Sequence, residues 1–502
     1  MATTLDRRTF LRRGTIAAGG VLSAGALGRL APPEAVGKSG KSRPRRNGRK
    51  GYGPLRRVPD QRGVEVLALP EGFSYVTLGY IGSKMSEGNT TPLALDGMAA
   101  FPDHKRSRVR LVRNHEDRNP AGAGSVPGDP AAKYDPDGGG GTSTLIYDEK
   151  RRRLIADFIS LNGTTVNCAG GIGYRRRHWI TAEETVRGPD ASSSGERFSQ
   201  RHGYLFEVPV SRGPGELTKA EPIRAAGRFA HEAVAVSQKT GIVYQTEDPG
   251  SGVGAGFYRF IPEKPSSLLE GGKLQMLAVS GQPQLDMREN QTVGRRMRTE
   301  WVDIDDPDPS YASVLDPKGT FMQGHAKGGA LFNRLEGCWY DEGSVFFVST
   351  SGGDAKSGDV NSDGYEEGFG QVWEYRPHRG GGFLTLVYES PSAAALDSPD
   401  NLTVTPRGGL IACEDDASSA NPDGHPLAPG IENVNRVIGL TQEGDAFELA
   451  VNVLNDSEFA GCCFSPSGET LFVNVFGRST FSGDPIEGMT CAITGPWKKG
   501  PL

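Results

Sequence analysis

A unit of about one β-hairpin recurs along this chain, and the recurrence limits its fold more than any other feature. An acidic or polar group opens a strand, a turn follows, and a second strand ends in further acids. His231-Glu232-AVAVSQKTGIVYQT-Glu247-Asp248 is one copy. Arg334-Leu335-Glu336-GCWYDEGSVFFVST, with Gly352-Gly353-Asp354 just beyond, is another. Asp400-Asn401-LTVTPRGGLIAC-Glu414-Asp415 and Glu458-FAGCCFSPSGETLFV-Asn474 are two more, Asn167 to Glu184 is a fifth, and Asp96 to His115-Glu116 is a looser sixth. After most hairpins come an aromatic or β-branched strand and then a fourth, as in GQVWEYRP at 370 followed by FLTLVYES. Helical periodicity is nearly absent. Four antiparallel strands per unit, repeated six times, predict an all-β, six-bladed β-propeller. The last copy ends in MTCAITGPW, one strand short, and residues 75 to 80 are expected to supply its outer strand and close the ring. Residues 263 to 320 exceed a normal connection and read as an inserted excursion elaborating the third blade.

In a propeller the innermost strand of every blade lines the axis, so the groups that open each hairpin converge on one pocket. Asp and Asn at strand ends also serve turn backbones. Here, however, the turns vary between QKTG, DEG, PRGG and PSGE while the acids recur at one place. The inward candidates are Glu116, Cys168, Glu183, Glu184, Glu232, Glu247, Asp248, Glu336, Asp354, Asp400, Asn401 and Glu414. So many carboxylates cannot share a pocket as bare anions; without cations they would take up protons. Oxygen-rich ligation suits hard ions such as Ca2+, and one thiolate selects a softer transition metal. Taken alone, Cys168 also fits a small buried core residue, with the Glu pair on a solvated strand end. Arg334, two residues before Glu336 and so on the same strand face, is placed to clamp two phosphate oxygens.

The chain of 502 residues has a formal charge of −5, but residues 1 to 57 carry 14 Lys/Arg against 2 Asp/Glu, leaving 42 against 59 for the remainder. An acidic body disfavours a nucleic-acid binder and suits a protein that holds cations. At the N-terminus, Asp6-Arg7-Arg8-Thr9-Phe10-Leu11-Arg12-Arg13 precedes a mildly apolar Gly/Ala-rich run, the pattern of a twin-arginine export signal. Residues 1–36 are therefore expected to be that signal, 37–63 a basic disordered linker, and 64–502 the propeller. Export by that machinery to the periplasm or exterior carries proteins already folded, which fits one loaded with metal first. No transmembrane segment is expected in the mature protein. The six cysteines, at 168, 338, 413, 462, 463 and 491, do not form a disulfide framework, since several sit inside expected strands.

The motifs RNHED (113–117), GGTSTL (140–145), NCAGG (167–171), WITAEET (179–185), GRFAHEA (227–233), YQTEDPG (244–250), GQVWEY (370–375), DNLTV with CEDD (400–404, 413–416) and EFAGCCFSPSGETLFVN (458–474) resemble the PhoX alkaline phosphatases. That resemblance implies an exported, monomeric phosphomonoesterase acting on small phosphate monoesters at two Fe3+ and three Ca2+, with a bridging oxo group. On it Cys168 falls on the iron-binding Cys, Glu184, Glu232 and Glu336 on cluster acids, and Arg334 on the catalytic phosphate-binding Arg. The full expected ligand set is Glu116, Cys168, Glu183, Glu184, Glu232, Glu247, Glu336, Asp400, Asn401 and Glu414. The chain departs from the family pattern at IGYRRRH after NCAGG and in the extra glycines of YQTEDPGSGVGAG. The rival classes are a calcium-dependent propeller lactonase, a phosphodiester or organophosphate hydrolase, and a non-catalytic binding propeller. Neither the calcium lactonase nor the binding scaffold needs a thiolate among carboxylates.

Overall fold

Six short strands stand side by side in a closed circle: Leu95–Pro102, Asn167–Ile172, His231–Val236, Leu335–Asp341, Pro399–Val404 and Phe459–Phe464. Each packs against the next, and the last packs back against the first. In the computed structural model, which describes residues 51–190, 198–310, 316, 318–415, 425–431, 433–477 and 487–502, nearly all regular structure is β. The expected export signal and most of the expected linker lie outside the described residues. No helix among the described residues is long and apolar enough to cross a membrane.

The inner strands are rich in Gly, Ala and Cys, and almost every residue in them is buried. The reason is crowding, because each has a neighbour on both sides as well as its own sheet. A methyl group on Gly337 would lie 2.6 Å from the Asp400 carbonyl oxygen of the next inner strand, and one on Gly97 would collide with the backbone of Ala169. Small residues let backbones approach this closely. Larger side chains fill the space between sheets further out. There Phe257, Phe347, Trp373, Tyr375 and Leu384 belong to one buried cluster, with the Phe257 and Phe347 rings stacked at 4.2 Å.

Each inner strand begins a sheet that runs outward, but the sheets are unequal. Two have four strands: Leu95–Pro102 through Arg153–Thr164, and Phe459–Phe464 through Met489–Thr494 with Ser74–Leu78 at its edge. That last strand pairs antiparallel with Met489–Thr494, Thr490 opposite Leu78, as residues 75 to 80 were expected to do. The sheet starting at Asn167–Ile172 has three strands. The sheet starting at Pro399–Val404 has six, because Glu65–Pro70 and Leu55–Pro59 extend it. A uniform four strands per unit is thus not what the pairing gives.

Two further expectations change. Residues 263–320 are not wholly an excursion, since Gly272–Val279 is an ordinary fourth strand beside Phe257–Pro262. Beyond it Arg296–Asp303 pairs with Gly272–Val279 on one side and Gly381–Glu389 on the other, fusing two neighbouring units into a nine-stranded sheet. The ordered body also starts before residue 64: Leu55–Pro59, assigned to the linker, pairs along Glu65–Pro70. Its Leu55 and Val58 each pack on apolar neighbours, which a basic composition averaged over the segment conceals.

Gly337→Ala should push two inner strands apart. The expected cost is about 1–3 kcal/mol of unfolding free energy, as for an overpacked core, read by chemical denaturation with the sheet signature in circular dichroism retained.

Candidate metal centre

One irregularity is repeated around the ring. In the first hairpin Leu95 pairs with His115, and pairing resumes at Met98 with Arg113, so two residues on the inner strand face one on its partner. The same β-bulge follows Asn167 opposite Glu183, His231 opposite Glu247, Leu335 opposite Ser349 and Pro399 opposite Glu414. The first bulged residue is in turn Asp96, Cys168, Glu232, Glu336 and Asp400. A bulge turns a side chain away from its regular face, and here all five turn towards the axis. In the sixth hairpin the equivalent place is Gly461, in the left-handed region at φ +61°.

The result is a buried cluster. Ligand atoms of Asp96, Glu116 and Cys168 lie within 4.8 Å of one another, as do those of Cys168, Glu184 and Glu232, and those of Glu232, Glu336 and Asp400. Cys168 and Glu232 each belong to two of these groups and join them into one. Among the described residues, neither carboxylate oxygen of Glu232, nor Oδ1 of Asp96, has a hydrogen-bond donor. Burial, and then the neighbouring carboxylates, push Asp96, Glu232 and Asp400 far above the usual acid range. Burial likewise raises Glu336 and the Cys168 thiol. Glu184 is pushed up to about 8 by burial and by Asp248 and Glu116, against the pull of Arg118. A set of buried acids with unsatisfied oxygens and one thiol fits cations, whose charge restores the anionic forms.

The second strand of each hairpin shows why only some predicted acids reach this cluster. In three of the hairpins the last paired residue is an acid held by hydrogen bonds of its own, and the next residue is an acid beside the axial ones. Glu183 accepts hydrogen bonds from His202 Nδ1 at 2.7 Å and from the backbone N–H of Thr165, Gly203 and Tyr204, whereas Glu184 joins the cluster. Glu247 accepts from Tyr258 Oη at 2.6 Å and the Gly256 N–H, whereas Asp248 meets Arg334. Glu414 is clamped by Arg436 through Nε at 2.7 Å and Nη2 at 2.5 Å, whereas Asp415 lies beside Asp400 and Glu458. Glu183, Glu247 and Glu414, expected as ligands, are therefore placed as struts. Asn401, also expected as a ligand, donates to Asp400 Oδ1 at 2.7 Å and accepts from the Gly461 N–H, so it orients an acid. Asp354 is exposed and accepts from the Asn290 N–H at 2.6 Å, outside the cluster.

Two guanidiniums border the acids. Arg334 has φ +41°, a strained conformation for a residue with a side chain, and it immediately precedes the inner strand. Its Nε lies 3.1 Å from Asp248 Oδ2 and its Nη2 3.3 Å from Glu336 Oε1. Burial would raise Asp248, but Arg334 holds it below its ordinary value. Arg118, which the sequence reading missed, pairs with Glu116 and lies 3.0 Å from Glu184 Oε2, with its side chain 32% exposed. Its spacing two residues after Glu116 was the available signal. Asp96 was missed too, although it opens its copy as Glu232 opens another; the looser match of that copy hid the equivalence.

A closed ring of antiparallel sheets that directs acids and a thiol onto its axis defines a propeller-like protein with an axial acidic cluster fit for cations. The chain belongs to the alkaline phosphatase PhoX family, whose model matches residues 50–477, and it is accordingly a phosphoester-hydrolysing phosphatase. The structure of Pseudomonas fluorescens PhoX in complex with vanadate, a transition state analogue, superposes with a TM-score of 0.63 at 18% identity, covering 88% of this chain and 98% of that one. A gluconolactonase from Xanthomonas campestris matches at 12% identity with a TM-score of 0.34 over 89% of this chain and 92% of its own. A protein of unknown function from Dyadobacter fermentans matches at 8% and 0.41, over 85% and 100%. No curated protein sequence matches the chain. Family membership sets aside the lactonase and non-catalytic readings.

The division between struts and axial acids is open to test by paired substitutions. Glu414→Gln breaks a buried ion pair and should cost about 3–5 kcal/mol, while metal per folded chain holds. Glu232→Gln should do the reverse, lowering metal per chain by elemental analysis while the metal-free protein unfolds at no lower denaturant concentration.

Proposed function

We propose that this chain is an exported phosphomonoesterase whose axial cluster holds iron and calcium, and that its six inner strands belong to six blades. The observation that carries the reading is the clustered set of Asp96, Glu116, Cys168, Glu184, Glu232, Glu336 and Asp400, in which both Glu232 oxygens and Asp96 Oδ1 lack a hydrogen-bond donor among the described residues. Cys168 supplies the soft donor that suits iron, and the carboxylates at the rest of the cluster suit calcium. Such ions supply Lewis acidity towards phosphoryl oxygens when bound. Asn401, Glu183, Glu247 and Glu414 are read as supports that fix the orientation of their neighbours rather than as ligands.

Arg334 is the residue best placed to act on substrate. Asp248 and Glu336 hold its guanidinium at the edge of the cluster, and its side chain remains 15% exposed. A planar fork with a fixed orientation matches two oxygens of a phosphoryl group, and it needs little rearrangement as charge grows on them. Its backbone, held at φ +41°, carries strain of the kind tolerated at positioned groups.

For localisation the reading is export by the twin-arginine route to the periplasm or exterior, supported by Arg7-Arg8 and the run that follows. Arg7→Lys with Arg8→Lys should leave the precursor inside the cell; normal secretion of the double variant would remove this part of the proposal. A monomer is the expected assembly, measurable by light scattering.

Cys168→Ser should lose iron and its visible charge-transfer band together with nearly all turnover, while circular dichroism stays that of the parent. Retained colour and iron would return Cys168 to the role of a core residue. Arg334→Lys keeps the charge and loses the fork, so kcat/KM for a phosphate monoester should fall by about 2–4 kcal/mol of transition-state stabilisation, with metals retained and inhibition by inorganic phosphate weakened in parallel. Unchanged kinetics with full metals would place Arg334 outside the reaction.

A further inference from the structure

The acids open the inner strands at one end of the ring, so the hairpin turns that close those strands gather at the other end. Three neighbouring turns there are cationic. Residues 103–107 carry Lys105 and Arg106, residues 173–177 carry Arg175, Arg176 and Arg177, and residues 237–241 carry Lys239, all exposed. Printed contacts join these turns into one surface. Arg176 Nη2 reaches the Ala100 carbonyl at 3.4 Å, and Gln238 Nε2 donates to the Gly173 carbonyl at 3.2 Å. The carboxylate on the first turn, Asp103, is already held by Arg110 at 3.0 Å. Asp341 and Glu342 lie on the next turn round, beyond the cationic sector.

The middle turn is the IGYRRRH segment in which the sequence departs from the family pattern. Arg175 and Arg176 both sit at φ +56°, a left-handed conformation that glycine or asparagine would adopt at less cost. Two adjacent arginines in that conformation direct long cations outward where the fold alone would be better served by glycine.

The first described residues pack at the same end. Tyr52 Oη donates to the Trp497 carbonyl at 3.3 Å, Trp497 Nε1 donates to the Glu469 carbonyl at 3.0 Å, and Arg407 Nη1 donates to the Gly500 carbonyl. Glu469 and Arg407 belong to the closing turns of the sixth and fifth hairpins.

We propose that this face is an electrostatic docking surface for anionic phospholipid headgroups, which holds the protein on a membrane with the phosphatase site turned towards solution. Charge complementarity selects the partner: an otherwise acidic body would be repelled from an anionic bilayer in any orientation but this one. Cations spread over three exposed turns suit a planar surface better than a single strand seated in a groove. The proposal does not depend on which metals the site holds.

The test is co-sedimentation of the exported, metal-loaded protein with phosphatidylglycerol vesicles and with phosphatidylcholine vesicles. The comparison variant combines Lys105→Ser, Arg106→Ser, Arg175→Gly and Arg177→Ser. Glycine at 175 relieves the left-handed strain, and Lys105→Ser with Arg106→Ser alone serves if the combination folds poorly. The parent should bind phosphatidylglycerol at low salt, release it at high salt and ignore phosphatidylcholine. The fourfold variant should bind at least ~100-fold more weakly, at roughly tenfold or less per lost cation, with hydrolysis of a soluble monoester unchanged. Equal binding by parent and variant would overturn the proposal, as would equal binding to the two lipids. Capture of the parent by soluble polyphosphate without binding to phosphatidylglycerol vesicles would assign the face to an anionic polymer and overturn the lipid reading.

Discussion

Mutual repulsion among buried acids is the constraint to which the rest of this structure answers. Asp96, Glu116, Glu184, Glu232, Glu336 and Asp400 are drawn together by the packing of six inner strands, and with them comes the Cys168 thiol. Apolar contacts between sheets supply the force that closes the ring. The same closure concentrates negative charge where water is scarce. A fold of this kind settles the conflict by protonation or by cations, and only the second makes use of so many ligands. The two guanidiniums offset a part of the charge: Arg334 holds Asp248 low, yet Glu336 beside it remains raised.

How the ring aims those acids is a matter of one extra residue per hairpin. Regular pairing would point alternate side chains into the gaps between sheets, where an acid has no partner. The bulge lets the strand present its second residue to the axis and then resume packing with an apolar one, as Met98, Val234 and Leu402 do. The residue after the acid must be small because the adjacent backbone is close, which accounts for Gly97, Ala169, Ala233 and Gly337. At that place in the fifth strand stands Asn401, which turns crowding to use by bonding both Asp400 and the next strand.

Much of this was legible in the sequence because an acid at the head of a hairpin is a periodic signal, and periodicity survives when turns drift. Glu232, Glu336, Asp400 and Cys168 were found that way. The expected ligands that lie outside the cluster share one cause. Glu183-Glu184, Glu247-Asp248 and Glu414-Asp415 are adjacent pairs whose members point to opposite sides of a strand end, so composition marks both as candidates and only the ladder register separates them. The partner of each strut also lies far away in sequence: His202 for Glu183, Arg436 for Glu414. The shared strand Arg296–Asp303 was illegible for a related reason. Its partners, Gly272–Val279 and Gly381–Glu389, belong to different units, and nothing local in RMRTEWVD states that it pairs on both edges.

The struts matter to the chemistry as much as the axial residues do. Each strut is bonded within its own sheet and sits one peptide unit before an axial acid, so motion of the acid requires motion of the strut. His202 illustrates the stiffness: burial opposes its charge, yet Glu183 and Asp135 raise it to about 9 and keep it ionised through neutrality. An ion pair buried on all sides resists displacement because breaking it leaves an unpaired charge in an apolar setting. A cluster of acids fit for cations gains from neighbours of that kind, since they fix the separations between its ligand atoms. The acids that do not reach the axis are thus part of why those that do can be held close together.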